Sequence, residues 1–384
     1  MKKTHILADL FRVLIAGVAF LDASSSVGFA QLAVSAWPMF QHDARHTGQS
    51  PVVGPAAANV KWTYHSLQGF RSASAIGPDG TIYVGNGRLL CAVDPSDGSE
   101  EWCTYIGGAV KFSSPAVLVD GTICVGGRDN RLHCLNADGS VNFSYRVGHD
   151  GDVSSSPVVA PDGTIYFGGT RRLHALNLDG SLKWIVALGS AIFTASPTLA
   201  TDGTIYVGSL DGMLHAVNAD GSINWETKVG RFIKFSAPSI ATDGTVYIGT
   251  SEGLTAVNPD GTIRWQVPTL GRVYSTAAIA TDGTIYVGSQ GSIGVSPGTF
   301  YAISPAGTVL QTYDSDDSFR GAPTIGADGT VYAASGSQIL AFNPLLTLIW
   351  SYTTGAHIIG SFSLGVDGTL YVGSNDRLLY AFAP

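Results

Sequence analysis

Charge is scarce in this chain. Lys, Arg, Asp and Glu make up 13% of its 384 residues, and the balance is −8. That leaves no basic footprint for phosphate backbones and argues against nucleic acid as a partner. Long hydrophobic runs are missing beyond the first thirty residues, so no later segment is long and apolar enough to span a bilayer core of about 30 Å as a helix. Cysteine is limited to four residues, none of them near the start, so nothing supports a lipid-anchored lipoprotein. The sequence has no phosphate-binding loop and no convincing acid pair. What is abundant is glycine, with 48 residues beside a hydrophobic content of 45%. That composition belongs to strands and tight turns rather than to helices or disorder.

The first thirty residues read as an export signal. Lys2 and Lys3 give a positive start, Val13 to Leu21 an apolar core, and Gly28-Phe29-Ala30 the small residues that a signal peptidase reads. Val34-Ser35-Ala36 is a second candidate cleavage site. A core of nine residues is too short to span a membrane.

A repeat dominates the rest. Asp-Gly, mostly followed by Thr, Ile or Val, and Tyr, recurs with Asp at 79, 120, 162, 202, 243, 282, 328 and 367. Blade four shows the unit: Ser196 to Ala200, the turn Asp202-Gly203, Thr204 to Gly208, Leu214 to Asn218, the turn Asp220-Gly221, then Ser222 to Trp225. Asp-Gly between apolar runs is a hairpin signal because the turn needs positive φ, which Gly adopts freely and Asp tolerates. A four-stranded unit of about 40 residues repeated eight times predicts an all-β, eight-bladed propeller. The chain ends on a third strand, Leu379 to Phe382, and the missing fourth strand stands at the other end as Val60 to Tyr64. An N-terminal strand that closes the ring removes an open sheet edge. The expected organisation is a signal peptide at 1–30, a lead segment at 31–58 and one propeller domain at 59–384. Trp62, Trp102, Trp184, Trp225, Trp265 and Trp350 share one place in the fourth strand, which reads as packing between blades; Phe143 and Gln311 replace them in blades two and six.

Trp37-Pro38-Met39-Phe40, Asp43, Thr47-Gly48 and Ser50-Pro51, leading into Trp62-Thr63-Tyr64, resemble the opening of pyrroloquinoline-quinone-type (PQQ-like) propeller proteins. The core Asp-Gly-Thr-Ile-Tyr-Val-Gly, Leu-x-Ala-Leu/Val-Asn and Asp-Gly-x-x-x-Trp is similar to the repeat of that superfamily, over residues 37 to 384. The resemblance implies one of two roles: a quinoprotein dehydrogenase with PQQ and Ca²⁺ on the axis, or a non-catalytic scaffold like the outer-membrane assembly factor. The chain has no Cys-Cys pair to lie over a quinone and no Cys-x-x-Cys-His for haem. Its repeats are short and nearly uniform, which favours the scaffold.

In such a ring the tight turns share one face, and the blade connections and second-to-third loops share the other. The turn face collects 14 Asp, and the loop face carries 14 basic residues against nine acids. Variable loops on a rigid scaffold are where binding sits. At the mouth of the channel, just before each first strand, stand Phe70-Arg71, Lys111-Phe112, Val153-Ser154, Phe193-Thr194, Lys234-Phe235, Val273-Tyr274, Phe319-Arg320 and Ile358-Ile359. The binding candidates are Arg71, Lys111, Phe112, Arg231, Lys234, Phe235 and Arg320. The strand entrances, Ser72, Ser113, Ser155, Ala195, Ser236, Ser275, Gly321 and Gly360, are small and carry no acid for Ca²⁺. The reading is therefore an exported, non-enzymatic, monomeric scaffold that binds a protein or glycan partner with no cofactor; PQQ with calcium is the alternative. The loop from Ser289 to Thr299 is a candidate flap or partner contact.

Other constellations carry less. His133, His174 and His215 repeat one position in neighbouring blades, about a sheet spacing of 10 Å apart, too far for one metal. His42 and His46 flank Asp43 at a spacing that suits a helix, although the resemblance treats that stretch as a wrap. Asp314-Ser315-Asp316-Asp317-Ser318 reads as an exposed acidic loop. Cys124 stands where other blades have Tyr83, Tyr166, Tyr206, Tyr247, Tyr286 and Tyr332, and Cys134 where they have Ala. Directly opposed residues of adjacent antiparallel strands come within reach of a disulfide, so Cys124–Cys134 is expected in an oxidising compartment. For Cys91 and Cys103 the extra residue of the intervening turn offsets the parity, and their pairing stays open.

Overall fold

The computed structural model describes residues 33, 35–148, 151–192, 194–291 and 298–384. The expected signal, Phe193 and most of the Ser289–Thr299 loop lie outside them. Thirty-two strands form eight four-stranded antiparallel sheets, and the described residues contain no helix. In blade four the strands are Thr198–Leu199, Ile205–Gly208, Met213–Val217 and Ile223–Lys228, in that spatial order. The second and third strands are buried apart from Met213, while the fourth is exposed or half-buried throughout. Hydrophobicity thus falls from the inner strands to the rim.

Blade eight is built from both ends of the chain. Val60–His65 pairs antiparallel with Leu378–Phe382, Thr63 facing Tyr380 and Tyr64 facing Leu379. Every edge that would have been left by chain start and chain end is therefore covered.

The repeated tryptophan clips each blade to the next. Its indole N–H donates to a carbonyl in the last turn of the following blade: Trp62 to Pro95, Trp102 to Ala137, Trp184 to Ala219, Trp225 to Pro259 and Trp265 to Pro305, at 2.8–3.0 Å. Trp350 donates to Pro55 of the lead segment at 3.0 Å, because blade eight has no such turn of its own. The glycine of each receiving turn lies against the ring, and a Cβ on Gly261 would come 2.7 Å from Trp225. In blade six, where Gln311 replaces the indole, the Tyr286 hydroxyl donates to the equivalent Pro344 carbonyl at 2.9 Å.

Blade two changes three positions together. In six blades a second-strand tyrosine packs on the tryptophan across an alanine, as Tyr83 does on Trp102 at 5.9 Å. Blade two has Cys124, Cys134 and Phe143 in register, and the two sulfurs are bonded, with Cα atoms 4.1 Å apart. Cys91 and Cys103 are bonded as well. The expected parity offset does not apply to them, because the bulge lies between Ala92 and Val93, on the turn side, and Cys91 directly faces Cys103. Non-reducing peptide mapping is expected to recover both pairs. Reduction is expected to cost about 2–3 kcal/mol per bond, the chain-entropy value for loops of this size. A free, alkylatable Cys124 in the purified, unreduced protein would contradict the pairing.

The lead segment forms a belt at the turn-face end of the channel. Six of the eight first strands donate a backbone N–H to it: Ile76 to Trp37, Val117 to Pro38, Leu199 to Ala44, Ile240 to Arg45, Ile279 to Thr47 and Ile325 to Gly48, at 2.8–2.9 Å. The donors follow blade order, so the segment circles the axis before entering blade eight. Trp37 and Met39 are fully buried. The spacing of His42 and His46 does not produce a helix: Gln41, His42 and His46 take φ of 56°, 73° and 56°, left-handed values that non-glycine residues adopt at a cost. The Asp43 carboxylate holds the bend by accepting from the amides of Arg45 and Thr47 at 3.0 Å and from the Thr47 hydroxyl at 2.7 Å.

Candidate functional site

At the loop-face end of the axis lies a pocket of about 430 Å³, with Phe40 of the belt in its lining. Phe40 of the belt is its innermost aromatic. The walls carry Arg71, Phe112, Phe235, Arg272, Tyr274 and Arg320, and among the described residues no Asp, Glu or His lines the pocket.

The connections between blades set which side chains enter. Seven of the eight connections first seat an apolar residue over a glycine of the preceding blade; in blade seven that position is Ala334. A Cβ on Gly373 would lie 2.3 Å from Phe70, and one on Gly288 would lie 2.2 Å from Phe319. Phe70 and Phe319 are therefore buried plugs between blades and not part of the mouth, contrary to their grouping in the sequence. The next residues, Arg71 and Arg320, turn into the channel. In blades two and five the plug is Val110 and Ile233, and one additional residue follows. Phe112 and Phe235 then project inward and meet, with ring centroids 5.4 Å apart. Phe235 sits at φ 65°, and Tyr274 packs on its ring at 5.6 Å. Backbone strain of this kind persists where the surroundings enforce it, often at binding sites.

Below the mouth the first strands exchange hydroxyls. The amides of Ala73, Ser114 and Ser156 donate to the hydroxyls of Ser114, Ser156 and Ser196 on the next blade, as Ala237 does to Thr276 and Ala322 to Ser361, at 2.9–3.2 Å. At Ala73, Ala237 and Ala322 there is no hydroxyl to accept, so the amides of Ser361, Ser196 and Thr276 lack that partner. All three residues line the pocket. The Thr194 hydroxyl, also in the lining, is buried without a hydrogen-bond partner. The Ser113, Ser155, Ser236 and Ser275 hydroxyls are instead bonded to backbone of the second strands.

Of the sequence candidates, the pocket brings together Arg71, Phe112, Phe235 and Arg320. Lys111, Arg231 and Lys234 are not among the residues that line it. Lys234 lies 5.0 Å over the Phe235 ring, and Arg231 reaches Glu252 at 3.7 Å with both side chains exposed, a geometry of little energetic weight. Arg272 and Tyr274 complete the site: the guanidinium donates to the Tyr274 hydroxyl at 3.2 Å and lies 5.2 Å over Phe232. Phe40 was not a sequence candidate, and Gln290 belongs to the Ser289–Thr299 loop singled out as a flap or partner contact. For Phe40 the only signal was its place in the lead motif.

The histidines serve packing. His133 pairs with Asp129 at 3.0 Å, His174 stacks on Phe167, and His215 bonds Glu226 and Ser209 at 2.7 and 2.8 Å. Among the described residues the one group with metal-ligand spacing is Cys91, Glu100 and Cys103, whose two sulfurs are joined. His46 is fully buried, its Nδ1 donating toward Thr198 and Pro238 and its Nε2 unpartnered. Burial pushes its pKa down to about 4 against the opposing pull of Asp43, and burial also lowers that of His42. Between pH 6.5 and 4 the unfolded chain binds the proton that folded His46 refuses, so stability falls as pH falls through that window. The loss is about 3 kcal/mol at the acid end. Urea unfolding of wild type and His46→Gln across this range should show a shallower acid slope in the variant; identical slopes would remove His46 as the cause.

The family model described as outer membrane protein assembly factor BamB matches residues 106–255, 145–289 and 250–384, overlapping stretches that run to the end of the chain. The chain belongs to this family of PQQ-like propellers. Among solved structures, the quinohemoprotein alcohol dehydrogenase of Comamonas testosteroni superposes with a TM-score of 0.75 at 14% identity, over 90% of this chain and 80% of that one. BamB of Moraxella catarrhalis gives 0.65 at 15%, over 84% and 96%. The computationally designed Ika8 protein gives 0.70 at 10%, over 85% and 100%. A search of the curated proteins finds no match. An enzyme, an assembly factor and a designed chain share this fold, so function has to be argued from the site.

The quinoprotein alternative places PQQ and calcium on the axis. Calcium takes six to eight oxygens, with carboxylates prominent among them. This pocket offers hydroxyls and the Gln290 amide but, among the described residues, no carboxylate, and three guanidinium groups face the space a divalent cation would need. The residues present do not fit that cation.

Proposed function

We propose that this protein is an exported, non-enzymatic propeller that binds a protein partner through an acidic segment laid on the basic loop face. The observation that carries the reading is a mouth bearing Arg71, Arg272 and Arg320 and, among the described residues, no acid, with Lys111, Arg231 and Lys234 in the adjoining blade connections, in a chain of net charge −8. Such a local excess of one sign steers a complementary partner. Export is supported by the sequence signal and by two disulfides. Cleavage after Ala30 keeps Ala33 and Ser35, which bond to Val117 and Ile76; cleavage after Ala36 discards both contacts. Among the described residues no helix is long and apolar enough to cross a membrane.

The test uses a fluorescent peptide of Glu residues around one Phe, with a Lys-for-Glu peptide as control. Saturable binding of the acidic peptide alone, weakened by salt, supports the reading. Equal binding of both peptides, or calcium-dependent PQQ binding with dye-linked alcohol oxidation, would overturn it.

A further inference from the structure

We infer that Cys91, Cys103 and Glu100 form a redox-gated site for a thiophilic divalent cation of the zinc class. Joined, the cysteines staple two strands of blade one; reduced, they offer two thiolates beside a carboxylate, a donor set that suits such a cation. The site lies where blade one meets the closing strand of blade eight, so the inference is independent of the loop-face reading.

The repeat makes these residues stand out. Cys91 directly faces Cys103 across the third and fourth strands. The equivalent pair is His215 with Glu226 in blade four and Thr255 with Gln266 in blade five, and no other blade has cysteine at either position. The Glu100 position is aliphatic in the seven other blades, as at Ile223 and Leu348, so the blade packs without a carboxylate there. Blade one alone replaces all three, and the replacements converge. One ligand atom from each lies within 4.8 Å of the other two.

The neighbouring blade holds the carboxylate. Asn86 donates to the Tyr64 hydroxyl at 3.2 Å, and that hydroxyl donates to Glu100 at 2.8 Å, with its oxygen 3.7 Å from the Cys103 sulfur. Burial and the bond to Glu100 push the Tyr64 pKa up to about 12, so the phenol stays a donor. Donors behind a ligand orient it for the metal. Zinc binds sulfur at about 2.3 Å and carboxylate oxygen at about 2.0–2.2 Å in a tetrahedron, which sets ligand atoms roughly 3.5–3.8 Å apart. Once the S–S bond is open, small side-chain rotations reach that spacing, and water takes the fourth position.

Access decides which disulfide opens. Cys91, Cys124 and Cys134 are fully buried, whereas Cys103 is half-buried. A dithiol reductant therefore meets Cys103 first. Its thiolate attacks the Cys103 sulfur, the S–S bond breaks, and Cys91 leaves as a thiolate and takes a proton. The second thiol of the reductant then displaces Cys103, and the reductant departs as its own cyclic disulfide. The protein has gained two electrons and two protons, and cation binding releases the protons.

The full chain is treated with graded dithiothreitol, mapped by alkylation, freed of reductant under argon and titrated with Cd²⁺. Cys91 and Cys103 are expected to become alkylatable before Cys124 and Cys134. The reduced chain should develop the ultraviolet thiolate-to-cadmium band, reversed by Zn²⁺, and the oxidised chain should develop none. Cys103→Ser should abolish the band. Glu100→Gln and Tyr64→Phe keep both cysteines and should each weaken Cd²⁺ by about tenfold or more. Several results would each overturn the inference: no band after reduction, opening of Cys124–Cys134 at the same dose, or loss of β-sheet circular dichroism when Cys91–Cys103 alone opens. A band in the oxidised chain or in Cys103→Ser, or undiminished affinity in Glu100→Gln, would do the same.

Discussion

Removing residues 33–66 is expected to abolish the native fold. The deletion takes away the fourth strand of blade eight, with Trp62 and Tyr64 buried in it, and exposes the edge at Leu378–Phe382. It also removes the Pro55 carbonyl that accepts from both Trp350 and Tyr332, and the belt that bonds six first strands. An uncovered edge invites intermolecular pairing, so the product should be aggregated and lack a cooperative melting transition. A milder variant keeps the matter measurable: Trp37→Ala empties a fully buried site and should cost about 3–5 kcal/mol in urea unfolding. A truncated protein that stays soluble with an undiminished melting temperature would show that the ring closes without its lead.

Reversing Lys111, Arg231, Lys234 and Arg320 to Glu is expected to abolish acidic-peptide capture. The four changes, one of them at Arg320 in the pocket wall, swing the loop face by eight unit charges. Each exposed contact is worth about 1 kcal/mol in water at close range, so affinity should fall by about a hundredfold or more at low salt. Screening acts over about 8 Å at physiological salt, so wild-type binding should weaken as salt rises and approach that of the variant. The side chains are exposed or half-buried, and the one ion pair among them, Arg231 with Glu252, is a surface pair. The melting temperature should therefore move little. Salt-insensitive capture that survives the reversal would place binding elsewhere on the molecule.

The candidate site was only partly legible before the fold was known. Arg71, Phe112, Phe235 and Arg320 could be found because they stand just before the first strands, and a propeller points those strands at its axis. Phe70 and Phe319 stand in the same stretch yet face away. A side chain beside a strand entrance turns inward or outward according to how many residues follow the plug, and blades two and five have one more than blades one and seven. The pairing of Cys91 with Cys103 stays open in the sequence for a related reason. The extra residue of their turn is absorbed by a bulge beyond Ala92, which leaves the cysteines in register.

The sequence by itself determined the ring: eight Asp-Gly repeats specify eight hairpin-built blades through local turn chemistry, and the displaced strand at Val60 to Tyr64 specifies closure. It also singled out Cys124 with Cys134, because adjacent strands in a hairpin inherit their register from the turn between them. The tertiary structure decided what no local pattern encodes. Six carbonyls between Trp37 and Gly48 meet six blades that are distant in sequence, so the belt and the place of Phe40 in the pocket lining emerge only when the ring is assembled. The meeting of Phe112 with Phe235, 123 residues apart, likewise depends on two blades facing each other across an axis that no single repeat contains.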